Sequence, residues 1–110
     1  MPEITLQHIR DAADKKFGPL VIKDIPGGDV ILLNPARLSK EKRTELKSAV
    51  ETEDIDEQER LEQIVRATAK SADHAKRLLK EFKDDLGSLA IILESYNQGS
   101  QMGEASPSAS

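Results

Sequence analysis

The chain contains no cysteine and no tryptophan, and its aromatic residues are one tyrosine, Tyr96, and two phenylalanines, Phe17 and Phe82. Each scarcity excludes something. Without cysteine there is no disulfide, no thiolate metal site and no cysteine nucleophile. The same absence agrees with a reducing compartment. With so few aromatic side chains, the core has to be built from Leu, Ile, Val and Ala. No run approaches the roughly 18 apolar residues of a membrane-spanning helix. The opening residues, MPEITLQHIRDAADKK, lack a basic segment followed by an apolar one, so they do not read as a secretory signal. Cytoplasm is the expected location.

Apolar bulk is missing again at residues 98–110, QGSQMGEASPSAS, which hold one charge, Glu104, and no branched aliphatic or aromatic residue. Such a segment has little apolar surface to offset the entropy of ordering it. It is expected to be a flexible tail on a single domain spanning residues 1–97.

Charge is abundant but uneven. The net charge is −4 over 110 residues. Residues 1–50 carry nine basic and seven acidic groups, whereas residues 51–70 carry three and seven. The acid concentrates in Glu51, Glu53, Asp54, Asp56, Glu57, Glu59 and Glu62. A local basic cluster, Lys40, Lys42, Arg43 and Lys47, is interrupted by Glu41 and Glu45. That falls short of the broad basic surface that nucleic-acid binding requires.

Local signals give a mostly helical α+β domain. Thr5 predicts an N-cap for a helix over 6–17, with Ile4 and Ile9 at hydrophobic-staple positions. Leu6, Ile9, Ala13 and Phe17 share one face, and Gly18-Pro19 ends the helix. Leu20–Ile22 and Val30–Leu33 flank Ile25-Pro26-Gly27-Gly28-Asp29, which predicts a β-hairpin. Two strands alone are marginal, so this hairpin must lie on helices or pair with another chain. Ser39 predicts the cap of a helix over 40–51, with Leu46, Ala49 and Val50 inward. Asp56, with Glu59 three residues on, predicts the next helix, whose apolar face is Leu61, Ile64, Val65 and Thr68. From Ser71 onward, Ala75, Leu79, Phe82, Leu86, Leu89, Leu93 and Tyr96 recur in an a/d pattern, widened by Leu78, Ala90 and Ile92. Lys83-Asp84-Asp85 and Gly87 leave open whether this stripe is one bent helix or two in line, so three to four helices follow the hairpin.

No constellation carries chemistry. His8 and His74 have no carboxylate at i±4 and read as surface or cap-adjacent residues. The acidic run lacks the central Gly of a calcium loop and places Ile55 inside it. Pro26-Gly27-Gly28-Asp29 matches neither phosphate-binding motif and reads as a turn. No catalytic, cofactor or metal site is expected, and the protein is not expected to be an enzyme. The a/d stripe is either a core helix or a partner-binding seam.

Taken in order, Asn34-Pro35-Ala36-Arg37-Leu38 after a short hairpin, the acidic link, the Asp84-Asp85-Leu86 opening of the last apolar stretch and Gly103–Ser108 (GEASPS) resemble a tail assembly chaperone of long-tailed phages of actinobacteria. The similarity spans nearly the whole chain. It implies a non-catalytic protein of the infected cell's cytoplasm, absent from the finished virion. Such a protein binds the tape measure protein, keeps it soluble, and helps tail tube subunits polymerise around it. It also implies a longer form, made by programmed frameshifting near the GEASPS segment, whose added domain recruits the tube protein. Several copies or a homo-oligomer would serve one client, with no nucleic acid, membrane or cofactor involved.

The surface expected to hold the client is the late stripe, Leu79, Phe82, Leu86, Leu89, Leu93 and Tyr96. The hairpin edge around Val21 and Ile31 is the second candidate, through strand addition. Two alternative functions remain: a small nucleic-acid-binding regulator using Lys40, Lys42, Arg43 and Lys47, and a structural head–tail or tail component.

Overall fold

Short polar side chains set where the helices begin. The computed structural model describes residues 2–109, with side chains over 2–98. The chain runs α1 (Leu6–Lys16), β1 (Leu20–Ile22), β2 (Val30–Leu32), a single 3-10 turn (Pro35–Arg37), α2 (Lys40–Glu51), α3 (Glu57–Thr68), α4 (Ala72–Glu81) and α5 (Leu86–Ala109). Thr5, Ser39 and Ser71 each accept the backbone N–H three residues on, and Asp56 accepts from Gln58 and Glu59. These bonds satisfy donors that have no helical partner. Asn34 caps the 3-10 turn in the same way, by accepting from the Ala36 N–H. The architecture is the mostly helical α+β arrangement that the sequence predicts. The flexible tail expected over residues 98–110 falls, apart from Gln98, outside the residues with described side chains.

The late stripe is two helices. α4 ends at Glu81 with Phe82 as its C-cap, and Asp84 sits in the left-handed region at φ 59° in the turn to α5. Asp85 then caps α5 by accepting both the N–H and the hydroxyl of Ser88. The Ser88 hydroxyl first, and its N–H second, hold the Asp85 carboxyl below the ordinary carboxylate value. Asp24 and Asp54 adopt the same left-handed backbone at two other breaks, a conformation that a short polar side chain tolerates better than most.

The hairpin lies on helices, as one of its two expected alternatives. Leu20, Val21 and Ile22 pair antiparallel with Leu32, Ile31 and Val30. On the far side of β2, the Ile31 N–H donates to His74 Nδ1 at 2.9 Å and the Ile31 carbonyl accepts from the Lys70 N–H at 2.9 Å. The Leu33 N–H donates to the Thr68 carbonyl at 2.7 Å, and the Tyr96 hydroxyl donates to the Leu33 carbonyl at 2.7 Å. Leu32 and Ala69 form an isolated bridge there. The loop from α3 to α4 thus serves as a third strand. Arg77 of α4 donates to the Gly28 and Asp29 carbonyls and pins the turn as well.

The core sits where β2, α3, α4 and α5 meet. Val30, Leu32, Val65, Leu78 and Leu89 are fully buried, with Ile25, Leu61, Ile64, Leu93 and Tyr96 around them. α3 is the central element and packs on α2, α4 and α5. One sequence expectation fails here. Ala49 is buried, but Val50, expected inward, is 57% exposed. Val50 lies at the end of α2, beyond the face that α3 covers. There the Arg60 guanidinium takes the Ala49 and Val50 carbonyls at 2.8 and 2.9 Å. α1 buries no residue, and Leu6 and Ile9 are 63% and 47% exposed.

Two predictions follow from the way β2 is held. Replacing His74 by Ala leaves the Ile31 N–H without an acceptor and is expected to cost about 1–2 kcal/mol in urea unfolding. The same change at exposed His8 is expected to stay within about 0.5 kcal/mol. The second concerns Tyr96, whose phenol burial pushes up from its ordinary value of 10.0. Below about pH 10 the phenol is neutral in both states and adds no pH dependence. Above it, the unfolded chain releases the proton and the folded chain does not. Stability is therefore expected to fall as pH rises past 10, and Tyr96→Phe to flatten that slope. Tyrosinate absorbance reads this one group, because the chain has a single tyrosine.

Candidate functional site

The late stripe divides between interior and surface. Leu89, Leu93 and Tyr96 are buried at 0%, 5% and 5% exposure, and Leu79 and Phe82 pack half-buried against the same core. Leu86 alone of the six is exposed, beside a shallow hollow formed with Leu61, Ala90 and Leu93. The heptad periodicity therefore marks mainly the faces that α4 and α5 turn toward β2 and α3. The second candidate, the hairpin edge, is half closed. Ile31 has both backbone groups engaged by Lys70 and His74. The ladder bonds to β1 must then lie at Leu20–Leu32 and Ile22–Val30, which turns the Val21 backbone groups outward.

A cleft of about 880 Å³ is framed by the 3-10 turn, the start of α2, the end of α3 and one side of α4. Its floor is aliphatic, three leucines and three alanines: Leu33, Leu38, Ala69, Ala72, Ala75 and Leu79. Its walls carry Arg37, Lys42, Arg66, Lys70, Lys76, Lys80 and Lys83 against one acid, Glu62. Arg37 pairs with Asp14 at 2.8 Å, Lys42 with Glu45 at 3.3 Å, and Arg66 with Glu62 at 3.7 Å. No carboxylate among the described residues pairs with Lys70, Lys76, Lys80 or Lys83.

Chain position explains why these cations converge. Lys76 and Lys80 stand four residues apart on α4 and share a face in line with Ala72, with Ala75 and Leu79 on the adjoining one. Lys70 belongs to the loop that bridges to β2, and Lys83 lies just past Phe82, the C-cap of α4. The cluster Lys40, Lys42, Arg43 and Lys47, prominent in the sequence, sends only Lys42 into the cleft. The remaining six cations come from segments that alternate with acids along the chain. Helical spacing at Lys76 and Lys80 was the one signal available in the sequence.

The cleft's polar side chains are largely engaged within the fold. Its two hydroxyls are engaged as caps: Ser39 Oγ accepts from the Lys42 N–H and Ser71 Oγ from the His74 N–H. The walls hold no histidine. Among the described residues, no group of three or more His, Asp or Glu side chains is placed to hold a metal ion, and no helix is long and apolar enough to cross a membrane.

A second surface is α1 itself. It is an amphipathic helix of 11 residues joined to β1 through Gly18-Pro19, with Asp14 tied to Arg37 at the cleft mouth. Ile4, Leu6 and Ile9 form an open apolar face.

No curated protein and no solved structure matches the chain. A family model described as mycobacteriophage tail assembly protein does match, over residues 2–105. That span covers both surfaces and every element that frames them, and the chain belongs to the mycobacteriophage tail assembly protein family.

Proposed function

We propose that this tail assembly protein is a non-catalytic chaperone that binds the tape measure protein, keeps it soluble and assists polymerisation of the tail tube around it. The observation that carries the reading is the uncovered apolar face of α1. A helix of 11 residues is marginal in water on its own, and packing normally supplies its stability. Here no residue of α1 is buried. A long helical client with an aliphatic stripe would cover Ile4, Leu6 and Ile9 by helix-against-helix packing. Leu86 offers a further exposed contact. Modest affinity at each copy suffices, because many copies on one client gain avidity.

In this reading the protein works in the cytoplasm of the infected host and is absent from the mature virion. Tube subunits are recruited by a longer, frameshifted form that extends past residues 98–110.

Co-expression of both forms with the tape measure protein of the same genome tests the proposal. The long protein is expected to become soluble and to co-purify with many copies. Leu6→Glu with Ile9→Glu is expected to abolish that rescue while changing stability by only about 0.5 kcal/mol, since neither side chain is buried. Purified particles examined by mass spectrometry should lack the protein. An insoluble client together with this chain in the particle would make it a structural tail component instead.

A further inference from the structure

The layout of charge along the cleft says what kind of molecule fits it. Lys70, Lys76, Lys80 and Lys83 are all exposed, and none meets a carboxylate among the described residues. They are spread along one wall instead of gathered at one end. Lys70 precedes α4, Lys76 and Lys80 stand on it, and Lys83 lies past its C-cap. α4 has 10 residues, a length of about 15 Å. Beside this row run Ala72, Ala75 and Leu79, and Leu33, Leu38 and Ala69 complete the floor from neighbouring segments. An occupant therefore meets two demands along one axis. It carries negative charge repeated at intervals of about 6 Å, the rise of four helical residues. It also carries aliphatic surface beside that charge.

Three classes of anion can be weighed against those demands. A single strand of nucleic acid repeats its charge but brings no aliphatic face. No aromatic side chain lines the cleft for a base to stack on, and Glu62 stands in its wall. An anionic amphiphile such as a fatty acid has the aliphatic part but only one charged end, which leaves most of the row unmatched. An amphipathic helix with acids at i and i+4 and aliphatic side chains on the adjoining face meets both demands at once. The cleft already takes one carboxylate from a helix. Arg37 in its wall holds Asp14 of α1 at 2.8 Å.

We infer that the cleft is a docking groove for an acidic amphipathic helix of another protein, lying along α4. Its Glu or Asp residues at i and i+4 meet Lys76 and Lys80, and its ends reach toward Lys70 and Lys83. Its Leu, Ile or Val side chains enter over Ala72 and Ala75, where small side chains let the two helices approach closely. The inference does not depend on the client proposed for α1.

Fluorescence anisotropy on the full chain tests it. The probe is a labelled synthetic helix of about 15 residues, or roughly four turns, with Glu on an i, i+4 row and Leu on the adjoining face. It is expected to bind. A scrambled peptide of the same composition, whose acids no longer share a face, is expected to bind about tenfold more weakly or worse. Lys76→Glu/Lys80→Glu is expected to weaken binding of the patterned helix by about tenfold or more, because like charges then face each other. Lys23→Glu/Lys47→Glu makes the same change in net charge at positions that do not line the cleft, and is expected to alter affinity by less than about threefold. Ala72→Trp fills the floor with no change of charge, and is expected to weaken binding about fivefold or more. All five positions are exposed, and circular dichroism melts check that the variants fold. A patterned helix that does not bind overturns the inference, as does a scrambled peptide that binds equally well. So does indifference to the Lys76 and Lys80 reversals. Displacement of the probe by an equal concentration of oligothymidine or dodecanoate also overturns it, and makes the cleft a nucleic-acid or amphiphile site instead.

Discussion

The far edge of β2 is the constraint on which the rest of the fold depends. A two-stranded hairpin leaves backbone donors and acceptors unpaired on both sides, and burying them without partners is costly. Here four separate groups close one side. His74 accepts from Ile31, Lys70 donates to it, Thr68 accepts from Leu33, and Tyr96 donates to Leu33. Those partners come from the end of α3, the loop after it, the first turn of α4 and the body of α5. Meeting that one edge thus fixes where three helices stand. The aliphatic core then fills the space they enclose, and Val30 and Leu32 point straight into it.

What the sequence made legible was local. Thr5, Ser39, Asp56 and Ser71 announce their helices because a cap needs only a short polar side chain and its immediate neighbours. The hairpin turn and the break at Asp84-Asp85 are written in the same short-range chemistry. The facing of the late stripe was not legible. An a/d repeat says that a face is covered without saying by what, and Leu89, Leu93 and Tyr96 turn out to be covered by the chain's own hairpin and α3. The roles of His74 and Tyr96 depend on residues 43 and 63 positions away, which no window along the chain contains. Val50 differs from Ala49 only by its turn around the helix axis, and the end of the α3 contact decides between them.

Charge shows the same gap between chain and fold. A net charge of −4 argues against an electropositive site. Yet folding gathers seven cations and one acid around a single cleft, because α3 and α4 place their basic residues on facing sides. The acids that balance them collect at the α2–α3 link. Overall charge is conserved on folding, but the gathering of these cations around one cleft is created by it. Family membership assigns this molecule to tail assembly.

The isolation of α1 has a consequence for how the protein can change. Most surfaces that recognise a partner are also part of a folded body, so altering them risks the body. α1 contributes no buried side chain and is joined by a short Gly18-Pro19 link. Its apolar face can therefore be rewritten, residue by residue, without disturbing β2 or the core beneath it. In the proposed role, recognition and foldability are inherited as nearly separate traits, which leaves the helix free to follow a changing partner while the domain that carries it stays the same.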